Sequence, residues 1–411
     1  MLSSGDAVGV FAMSEYRQFT VEDATAAARQ ALSRAAGYPI AVEQVSNLGS
    51  EQRRNLILRA SAVKPDGASR SVIIKATRAR GYDPSAADAF ETSGLIREWA
   101  AVRLLAQRTG HPPAGPALLE ADIERGVLVF DDLGDGLASL VQPLLKGSAA
   151  EAEQALMAYA TALGELHVAA ADCRAAHSAV LRHALPAVRL PQPARDWTNR
   201  IARKAADLLG ETLPEQEAAL IAERLQGPGI WQTLVHGDPC PDNVLLIPDG
   251  TARLIDFEFS SPGHALLDAA YWRMGFPSCW CAGHIPVAVA DRMEQAYRST
   301  LARVVPIAED DQDFRRESAL ICVAWLVDSL AWLLESALRE DRTWGISSNR
   351  ARILHYLGTA IERMTETGVL PRIRDLAAVW QDRLRAIWPD SQPLAPFPAF
   401  AAGYDGKDPD A

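Results

Sequence analysis

The chain has 411 residues, 48% of them hydrophobic, and carries 41 Lys and Arg against 52 Asp and Glu, a formal net charge of −11. This hydrophobic content can form a sizeable core and excludes a disordered chain. The negative charge removes any general attraction to a phosphate backbone or an anionic surface, so neither nucleic acid nor a membrane is an expected partner.

The sequence also indicates a cytoplasmic location. Its most apolar stretch, residues 319–338, is interrupted by Asp328 and Glu335, whereas a membrane-spanning helix needs about 20 nearly uninterrupted apolar residues. The N-terminus has no basic region ahead of an apolar core, so a secretory signal is not expected. The five cysteines match neither a disulfide scaffold nor the spacing of paired zinc ligands, which fits a reducing compartment.

The first elements predicted are a helix and a hairpin. Thr20 can cap a helix that ends at Gly37. Runs with β-branched residues at 56–58 and 71–75 flank the turn-like segment 64–67, which predicts a pair of antiparallel strands.

A change of pattern divides the chain in two. Helical spacing over residues 91–108 is followed by an apolar run at 127–130, which ends in a polar connection. We therefore predict one lobe over residues 1–133 and a second over 134–390, with 391–411 as a flexible tail rich in Pro, Gly, Ala and Asp.

The second lobe is predicted to be mostly helical, with one embedded hairpin that carries the strongest chemical signal. The segment His-Gly-Asp-Pro-Cys-Pro-Asp-Asn, residues 236–243, leads into its first strand, and Asp256 leaves its second. Because the turn is short, Asn243 and Asp256 should project from the same end of the hairpin. Such oxygen ligands suit Mg²⁺, and Asp238 could accept a proton from an incoming hydroxyl group.

An Asp-x-x-x-x-Asn motif followed by an Asp at a strand end is the phosphoryl-transfer arrangement of protein kinases. Here His-Gly-Asp replaces His-Arg-Asp, and Ile-Asp-Phe-Glu at 255–258 replaces Asp-Phe-Gly. With both departures the chain resembles the aminoglycoside phosphotransferase and choline kinase group, the small-molecule branch of the protein-kinase-like superfamily, over roughly residues 45–388. The resemblance implies an α+β fold of two lobes, a small antiparallel-sheet N-terminal lobe and a larger, mostly helical C-terminal lobe.

The resemblance also implies the roles of individual residues in the second lobe. Asp238 would be the catalytic base, with Asn243 and Asp256 as Mg²⁺ ligands. Asp268 would brace the catalytic loop, and His236 is favoured as a support of this loop over a general base. The role of Glu258 is left open. It could contact a second metal or a cationic substrate, or it could form a hydrogen bond to the catalytic loop.

In the first lobe, the resemblance implies that Lys75 contacts the ATP phosphates and that Glu98 is its ion-pair partner. The backbone of Asp131 and Leu133 would bond the adenine. The phosphate loop, 47–52, offers Gly49 and Ser50, but one Gly where protein kinases have three, so fewer bare N–H groups can approach the phosphates.

Two groups of residues in the second lobe have alternative interpretations. A zinc site from Cys240, Cys279, Cys281 and His284 is disfavoured, because Cys-Trp-Cys lacks the usual two-residue spacing, and buried or incidental thiols are favoured. Several tryptophans could form an aromatic cage for a cationic acceptor, although the apolar periodicity favours core packing for two of them, Trp325 and Trp332. The tryptophans in question are Trp272, Trp280, Trp325, Trp332 and Trp344.

The function predicted is transfer of the γ-phosphate of ATP, with Mg²⁺, to a hydroxyl group of a small molecule. Aminoglycosides, choline-like amino alcohols, sugars, hydroxyl-bearing amino acids and secondary metabolites all remain open as acceptors, as do GTP in place of ATP and the oligomeric state. One alternative is a catalytically silent nucleotide-binding regulator with the same fold. A protein Ser/Thr kinase is less favoured, because the chain has no Asp-Phe-Gly to Ala-Pro-Glu activation segment.

Overall fold

The computed structural model describes residues 19–49, 54–78, 82–85, 90–108, 114–185, 202–226 and 229–401. Over these residues the chain has the expected α+β fold, with an antiparallel sheet in the N-terminal part and mostly helices after it.

Helix α1 (Val21–Ala36) has the ends that the sequence predicted. The Thr20 hydroxyl accepts a hydrogen bond from the backbone N–H of Asp23, and the Asp23 carboxylate accepts one from the backbone N–H of Thr20. This reciprocal capping box satisfies two N–H groups that have no partner within the helix. The helix ends at Gly37, whose φ of 74° lies in the left-handed region that favours glycine.

A five-stranded antiparallel sheet follows, with the strand order β1-β2-β3-β5-β4. The predicted hairpin is confirmed as the pair β2–β3, and the predicted run at 127–130 is β5. The strands are β1 (Ala41–Asn47), β2 (Asn55–Val63), β3 (Ser69–Thr77), β4 (Leu118–Asp122) and β5 (Val127–Asp131).

The two faces of the sheet have different neighbours. Alternate residues of β3, such as Val72 and Ile74, are fully buried in a cluster with the small side chains of α1. Since side chains alternate along a strand, Ile73 and Lys75 lie on the opposite face. Helix α2 (Phe90–Ala106), which was predicted over 91–108, contributes to the core on that second side.

The second part of the chain is built mainly from helices around one large core. In chain order the described helices are α3 (Val141–Lys146), α4 (Ala149–Ala169), α5 (Arg174–Ala184), α6 (Ala202–Leu209), α7 (Glu215–Gln226), α8 (Leu266–Arg273), α9 (Val287–Leu301), α10 (Asp311–Arg339), α11 (Asn349–Thr367) and α12 (Pro371–Ile387).

Helix α10 is the one described helix that is long and apolar enough to cross a membrane by length and composition. In this fold 83% of its most apolar window is buried. It therefore serves as the central core helix of the second part of the chain.

Three pairs of short antiparallel strands lie among these helices. The predicted embedded hairpin is the pair β7 (Val244–Leu246) and β8 (Ala252–Leu254). Two further pairs were not predicted. They are β6 (Gln232–Val235) with β9 (Ser261–His264), and β10 (Thr343–Trp344) with β11 (Ser347–Ser348).

The expectation of a flexible tail from residue 391 was wrong over 391–401, and 402–411 lie outside the described residues. Leu394, Phe397 and Phe400 are buried in the main core. The backbone N–H of Phe397 also donates to the carbonyl of His284, at 3.1 Å. Three apolar side chains spaced three residues apart outweigh the Pro-rich composition of this segment, because burying them stabilises the ordered form.

Candidate active site

The loop that precedes β7 brings the predicted metal ligands together. It ends in a short 3₁₀ turn, Pro241–Asn243, and the backbone N–H of Ile255 donates to the carbonyl of Asn243 at 2.9 Å. This bond extends the β7–β8 ladder by one step. Asn243 and Asp256 therefore lie at the same end of the hairpin.

Asp238 accepts hydrogen bonds from three side chains. The side-chain amide nitrogen of Asn243 lies 3.0 Å from the backbone carbonyl oxygen of Asp238 and 3.4 Å from Oδ2 of Asp238. The hydroxyl groups of Tyr271 and Ser278 each lie 3.3 Å from Oδ1, and 2.8 Å from each other. These contacts orient the carboxylate from two sides.

The surroundings of Asp238 disfavour its ionised form. Burial has the largest effect, and the neighbouring carboxylates of Asp256, Asp242 and Glu258 add to it, which together raise the pKa of Asp238 to about 8. A proton acceptor must be ionised to act. The site therefore needs additional positive charge before Asp238 can act as a base at neutral pH.

Lys75 lies between two carboxylates, one from each part of the chain. Its ammonium group is 2.5 Å from Oε2 of Glu98 on α2 and also pairs with Oδ1 of Asp256. Burial alone would lower the pKa of Lys75, but Asp256, Glu98 and Glu258 outweigh it and raise this pKa. Lys75 is thus held as a buried cation at the end of the β7–β8 hairpin.

The loop 236–243, which was predicted to be the catalytic loop, is held in place by Asp268 at the start of α8. Its Oδ2 accepts from the backbone N–H of His236 at 2.6 Å, and its Oδ1 accepts from that of Gly237 at 3.0 Å. The buried His167 side chain contacts Oδ2 of Asp268 at 3.0 Å. The Nε2 atom of His236 lies 2.9 Å from the carbonyl of Ile255, so His236 connects the loop to the strand before Asp256.

Steric constraints explain why the His-Gly-Asp segment has a glycine at position 237. Gly237 has a φ of 81°, and a Cβ atom added there would lie 2.5 Å from the carbonyl oxygen of Phe259. A side chain at this position would meet both backbone strain and a collision with backbone. The Arg of the protein-kinase motif cannot be accommodated in this loop conformation.

We expect Gly237→Ala to lower Tm and to reduce turnover at least about tenfold, because Asp238 follows directly and a shift of about 1 Å can be costly. Gly250→Ala is the matched control. Gly250 has a φ of 85° but nothing within 4 Å of its added Cβ. Thermal unfolding and steady-state kinetics of the two variants would separate backbone strain from the collision, and equal effects would contradict the steric explanation.

Glu258, whose role the sequence left open, contacts the N-terminal sheet. Its carboxylate pairs with Arg54, and the side-chain amide of Asn55 donates to it at 3.3 Å. Asn55 is the first residue of β2, and Arg54 directly precedes it. Glu258 thus joins the segment after the β7–β8 hairpin to the N-terminal sheet.

Of the two predicted phosphate-loop residues, Gly49 donates its backbone N–H to the side chain of Asn47 at 2.9 Å, and Ser50 lies outside the described residues. At the connection after β5, the N–H of Asp131 is already bonded to the carbonyl of Ala117 at 2.8 Å. The N–H of Asp131 is therefore not available to a ligand. In the described part of the chain the N–H of Leu133 has no partner.

The donor atoms at the end of the hairpin fit a divalent cation. Among the described residues, Oδ1 of Asn243 and Oδ2 of Asp256 accept no hydrogen bond, so both are available as oxygen ligands. Carboxylates also outnumber cations here. The acidic residues are Glu98, Asp238, Asp242, Asp256 and Glu258, and the basic ones are Lys75 and Arg54.

Three polar contacts at the site were not predicted from the sequence. Tyr271 and Ser278 reach Asp238 from 33 and 40 residues further along the chain. Trp280, 36% exposed, donates its indole N–H to Asp242 at 2.9 Å. By contrast Trp325 is buried, in agreement with core packing, and donates to the carbonyl of Leu267.

The structure corrects the interpretation of the cysteines. Cys240, Cys279 and Cys281 are brought together, and the first two form a disulfide. The expectation of buried or incidental thiols was therefore wrong for Cys240 and Cys279, which form a disulfide, whereas Cys281 is a buried thiol. His284, the fourth residue of the zinc alternative, instead contacts the ring of His355 and the backbone of the C-terminal segment.

Comparison with known proteins gives one family. The family model described as the phosphotransferase enzyme family matches residues 70–307, more than half of the chain. No curated protein sequence matches the chain.

Several solved structures resemble the chain at low identity. A choline/ethanolamine kinase family protein from Mesorhizobium loti is 17% identical, with 86% of this chain and 98% of that chain covered and a TM-score of 0.39. A macrolide 2′-phosphotransferase from Brachybacterium faecium is 16% identical, with coverages of 74% and 92% and a TM-score of 0.42. An ethanolamine kinase from Plasmodium vivax is 12% identical, with coverages of 81% and 84% and a TM-score of 0.45.

Proposed function

The chain belongs to the phosphotransferase enzyme family, and from that premise we propose that it transfers the γ-phosphate of ATP to a hydroxyl group of a small molecule. The observation that carries this proposal is the convergence of Lys75, Asp238, Asn243 and Asp256 at one end of the β7–β8 hairpin. These residues supply a cation, a base and two oxygen ligands at one place.

The charge of the triphosphate is the main obstacle to this reaction, because it repels the attacking oxygen. Asn243 and Asp256 would hold Mg²⁺, which supplies charge neutralisation at the phosphates when it is bound. Lys75, kept in place by Glu98, would contact the phosphates as a second positive charge.

Asp238 would orient the acceptor hydroxyl and take up its proton. Tyr271 and Ser278 hold one of its carboxylate oxygens, and the amide of Asn243 contacts the other. A carboxylate fixed in this way loses little further freedom when the acceptor binds, which favours a reactive geometry.

The nucleotide would bind between a lobe of residues 1–133 and a lobe of residues 134–390. Its adenine would meet the carbonyl of Asp131 and the free N–H of Leu133, and its phosphates the loop containing Gly49 and Ser50. We place this enzyme in the cytoplasm, with a small-molecule acceptor as its partner.

The rival interpretation of a silent nucleotide-binding regulator leaves the environment of Asp238 unexplained. Nucleotide binding needs the cation and the metal ligands, but it does not need a buried carboxylate with hydrogen bonds from Asn243, Tyr271 and Ser278. The three contacts around Asp238 therefore favour the enzyme.

The direct test is an ATP-consumption screen over hydroxyl-bearing small molecules, followed by mass detection of the phosphorylated product. Amino alcohols and aminoglycosides come first, because the surplus of carboxylates at the site suits a cationic acceptor. We expect a Mg²⁺-dependent product with at least one acceptor class and at least about 100-fold slower formation of it by the Asp238→Asn variant. Mg²⁺-dependent ATP binding without a product over the whole panel would favour the silent regulator.

A further inference from the structure

Three cysteines outside the proposed catalytic set lie together at the loop 236–243, which contains one of them, Cys240. Their sulfur atoms lie within 4.8 Å of one another, and the side chains of Cys240, Cys279 and Cys281 are 3%, 1% and 0% exposed. Cys240 and Cys279 form a disulfide with a Cα–Cα distance of 5.6 Å, in the common range for such bonds. Cys281 remains a thiol, 3.1 Å from the sulfur of Cys279.

The disulfide reinforces one of the hydrogen bonds that orient the proposed base, Asp238. Cys240 is two residues after Asp238, and Cys279 directly follows Ser278, whose hydroxyl donates to Asp238. The covalent bond thus joins the same two segments as the weaker contact between Ser278 and Asp238.

The segment that carries Cys279 is itself firmly anchored. Arg352 of α11 is fully buried and donates to the carbonyl groups of Cys279 at 2.7 Å, Trp280 at 3.3 Å and Trp344 at 2.8 Å. The disulfide therefore ties the catalytic loop to a fixed point of the helical core.

The local charge favours a disulfide over a metal bound by three thiolates. Three thiolates with a divalent ion would carry a net negative charge, beside Asp238 and Asp242. Burial, followed by the charge of Asp242, raises the pKa of the Cys281 thiol and so opposes its ionisation. A disulfide is neutral and adds no charge to this acidic region.

We propose that the Cys240–Cys279 bond is a reversible covalent modification site, a staple that holds the catalytic loop in its active geometry and is released by low-molecular-weight thiols. The effect on turnover rests on the proposed function, whereas the bond itself does not.

The chemistry of release balances with the thiol as the reductant. Because Cys240 and Cys279 are at most 3% exposed, attack requires a local opening of the loop. A small-molecule thiolate then attacks one sulfur of the bond and forms a mixed disulfide, and the other cysteine leaves as a thiolate and takes up a proton. A second small-molecule thiolate attacks the small-molecule sulfur of this mixed disulfide and displaces the protein cysteine, which also takes up a proton. Two protein thiols and one small-molecule disulfide result. Oxidation by a small-molecule disulfide is the reverse sequence.

Release of the staple leaves Asp238 oriented by hydrogen bonds alone. The catalytic loop gains freedom relative to the segment 278–281, and the reactive geometry is populated less often. We expect reduction to lower turnover by roughly threefold to tenfold, since small misplacements of catalytic groups have large kinetic effects.

The first experiment maps the bond without any phosphate acceptor. Protein prepared without reductant is alkylated in denaturant and digested with trypsin, which places Cys240 in fragment 225–253 and the other two cysteines in fragment 274–292. We expect these fragments to be cross-linked through Cys240 and Cys279, and to separate after dithiothreitol with all three of their cysteines alkylated. Unlinked fragments, or stoichiometric zinc or copper in the protein, would overturn the staple.

The second experiment compares variants for Tm and turnover with and without dithiothreitol. We expect Cys279→Ser to have a lower Tm and to lose the response to dithiothreitol, whereas Cys281→Ser and Cys322→Ser keep the response of the parent. If dithiothreitol reduces the bond but changes neither Tm nor turnover, the staple has no role and the proposal fails. If both the oxidised and the reduced protein are inactive with every acceptor, the proposed function is wrong. The change of Tm with dithiothreitol then tests the staple by itself.

Discussion

We expect Asp238→Asn to lower the turnover of phosphotransfer on the order of 10²- to 10⁴-fold while nucleotide binding is retained. The amide oxygen of Asn can still accept hydrogen bonds from Tyr271 and Ser278, which now contact the carboxylate at 3.3 Å. The shape of the site is therefore kept, and the capacity to take up a proton is lost. Steady-state kinetics with the true acceptor measure the first effect, and a thermal shift with a non-hydrolysable ATP analogue and Mg²⁺ measures the second.

The same variant has a predictable effect on stability when no metal is present. Burial and the neighbouring carboxylates raise the pKa of Asp238 to about 8, so the folded protein binds a proton that the unfolded chain releases near pH 4. Folding of the parent is therefore disfavoured increasingly as the pH rises from about 4 to about 8. We expect the Tm of Asp238→Asn, relative to the parent, to increase over this interval and then to level off. Turnover equal to that of the parent would refute the role of Asp238 as base.

The second large effect is expected from Asp256→Asn, which should lose both Mg²⁺-dependent nucleotide binding and turnover, the latter by roughly 10²- to 10³-fold. Asn is chosen because residue 256 has a φ of 66°, and Asn tolerates this left-handed conformation better than Ala. The substitution removes the charge that would hold the metal, and the partner of Lys75, while the backbone is kept. Calorimetric titration with the ATP analogue, with and without Mg²⁺, measures the loss.

Asp249→Asn is the matched control for this variant. Asp249 lies in the exposed turn of the same hairpin, where its carboxylate accepts a hydrogen bond from the backbone of Thr251. We expect this control to leave nucleotide binding and turnover unchanged. If Asp256→Asn bound the Mg²⁺–nucleotide complex as tightly as the parent, the assignment of Asp256 as a metal ligand would be wrong.

The sequence predicted the elements whose causes are local. Helix α1 begins and ends where Thr20 and Gly37 indicate, because the cap and the stop involve residues within one helical turn. The β7–β8 hairpin follows from a short turn between two apolar runs. Since adjacent strands have a fixed register, the same local pattern correctly predicts that Asn243 and Asp256 share one end of the hairpin.

The elements that the sequence did not predict depend on distant partners. The strands β6 and β9 are four residues long and pair across an intervening hairpin, so neither has a clear pattern by itself. The segment 391–401 has the composition of a flexible tail, but its apolar side chains find a place in the core. Local composition contains no information on whether such a place exists.

The sequence by itself determined the set of polar residues at the catalytic hairpin, because their spacing lies within one supersecondary unit. Only the tertiary structure decided what surrounds them: Tyr271 and Ser278 on Asp238, Arg54 on Glu258, and the bond between Cys240 and Cys279. These contacts join residues 33 to 204 positions apart. Residues so far apart in the sequence come into contact only when the helices and the sheet pack, because the packing of the whole core determines which loops meet.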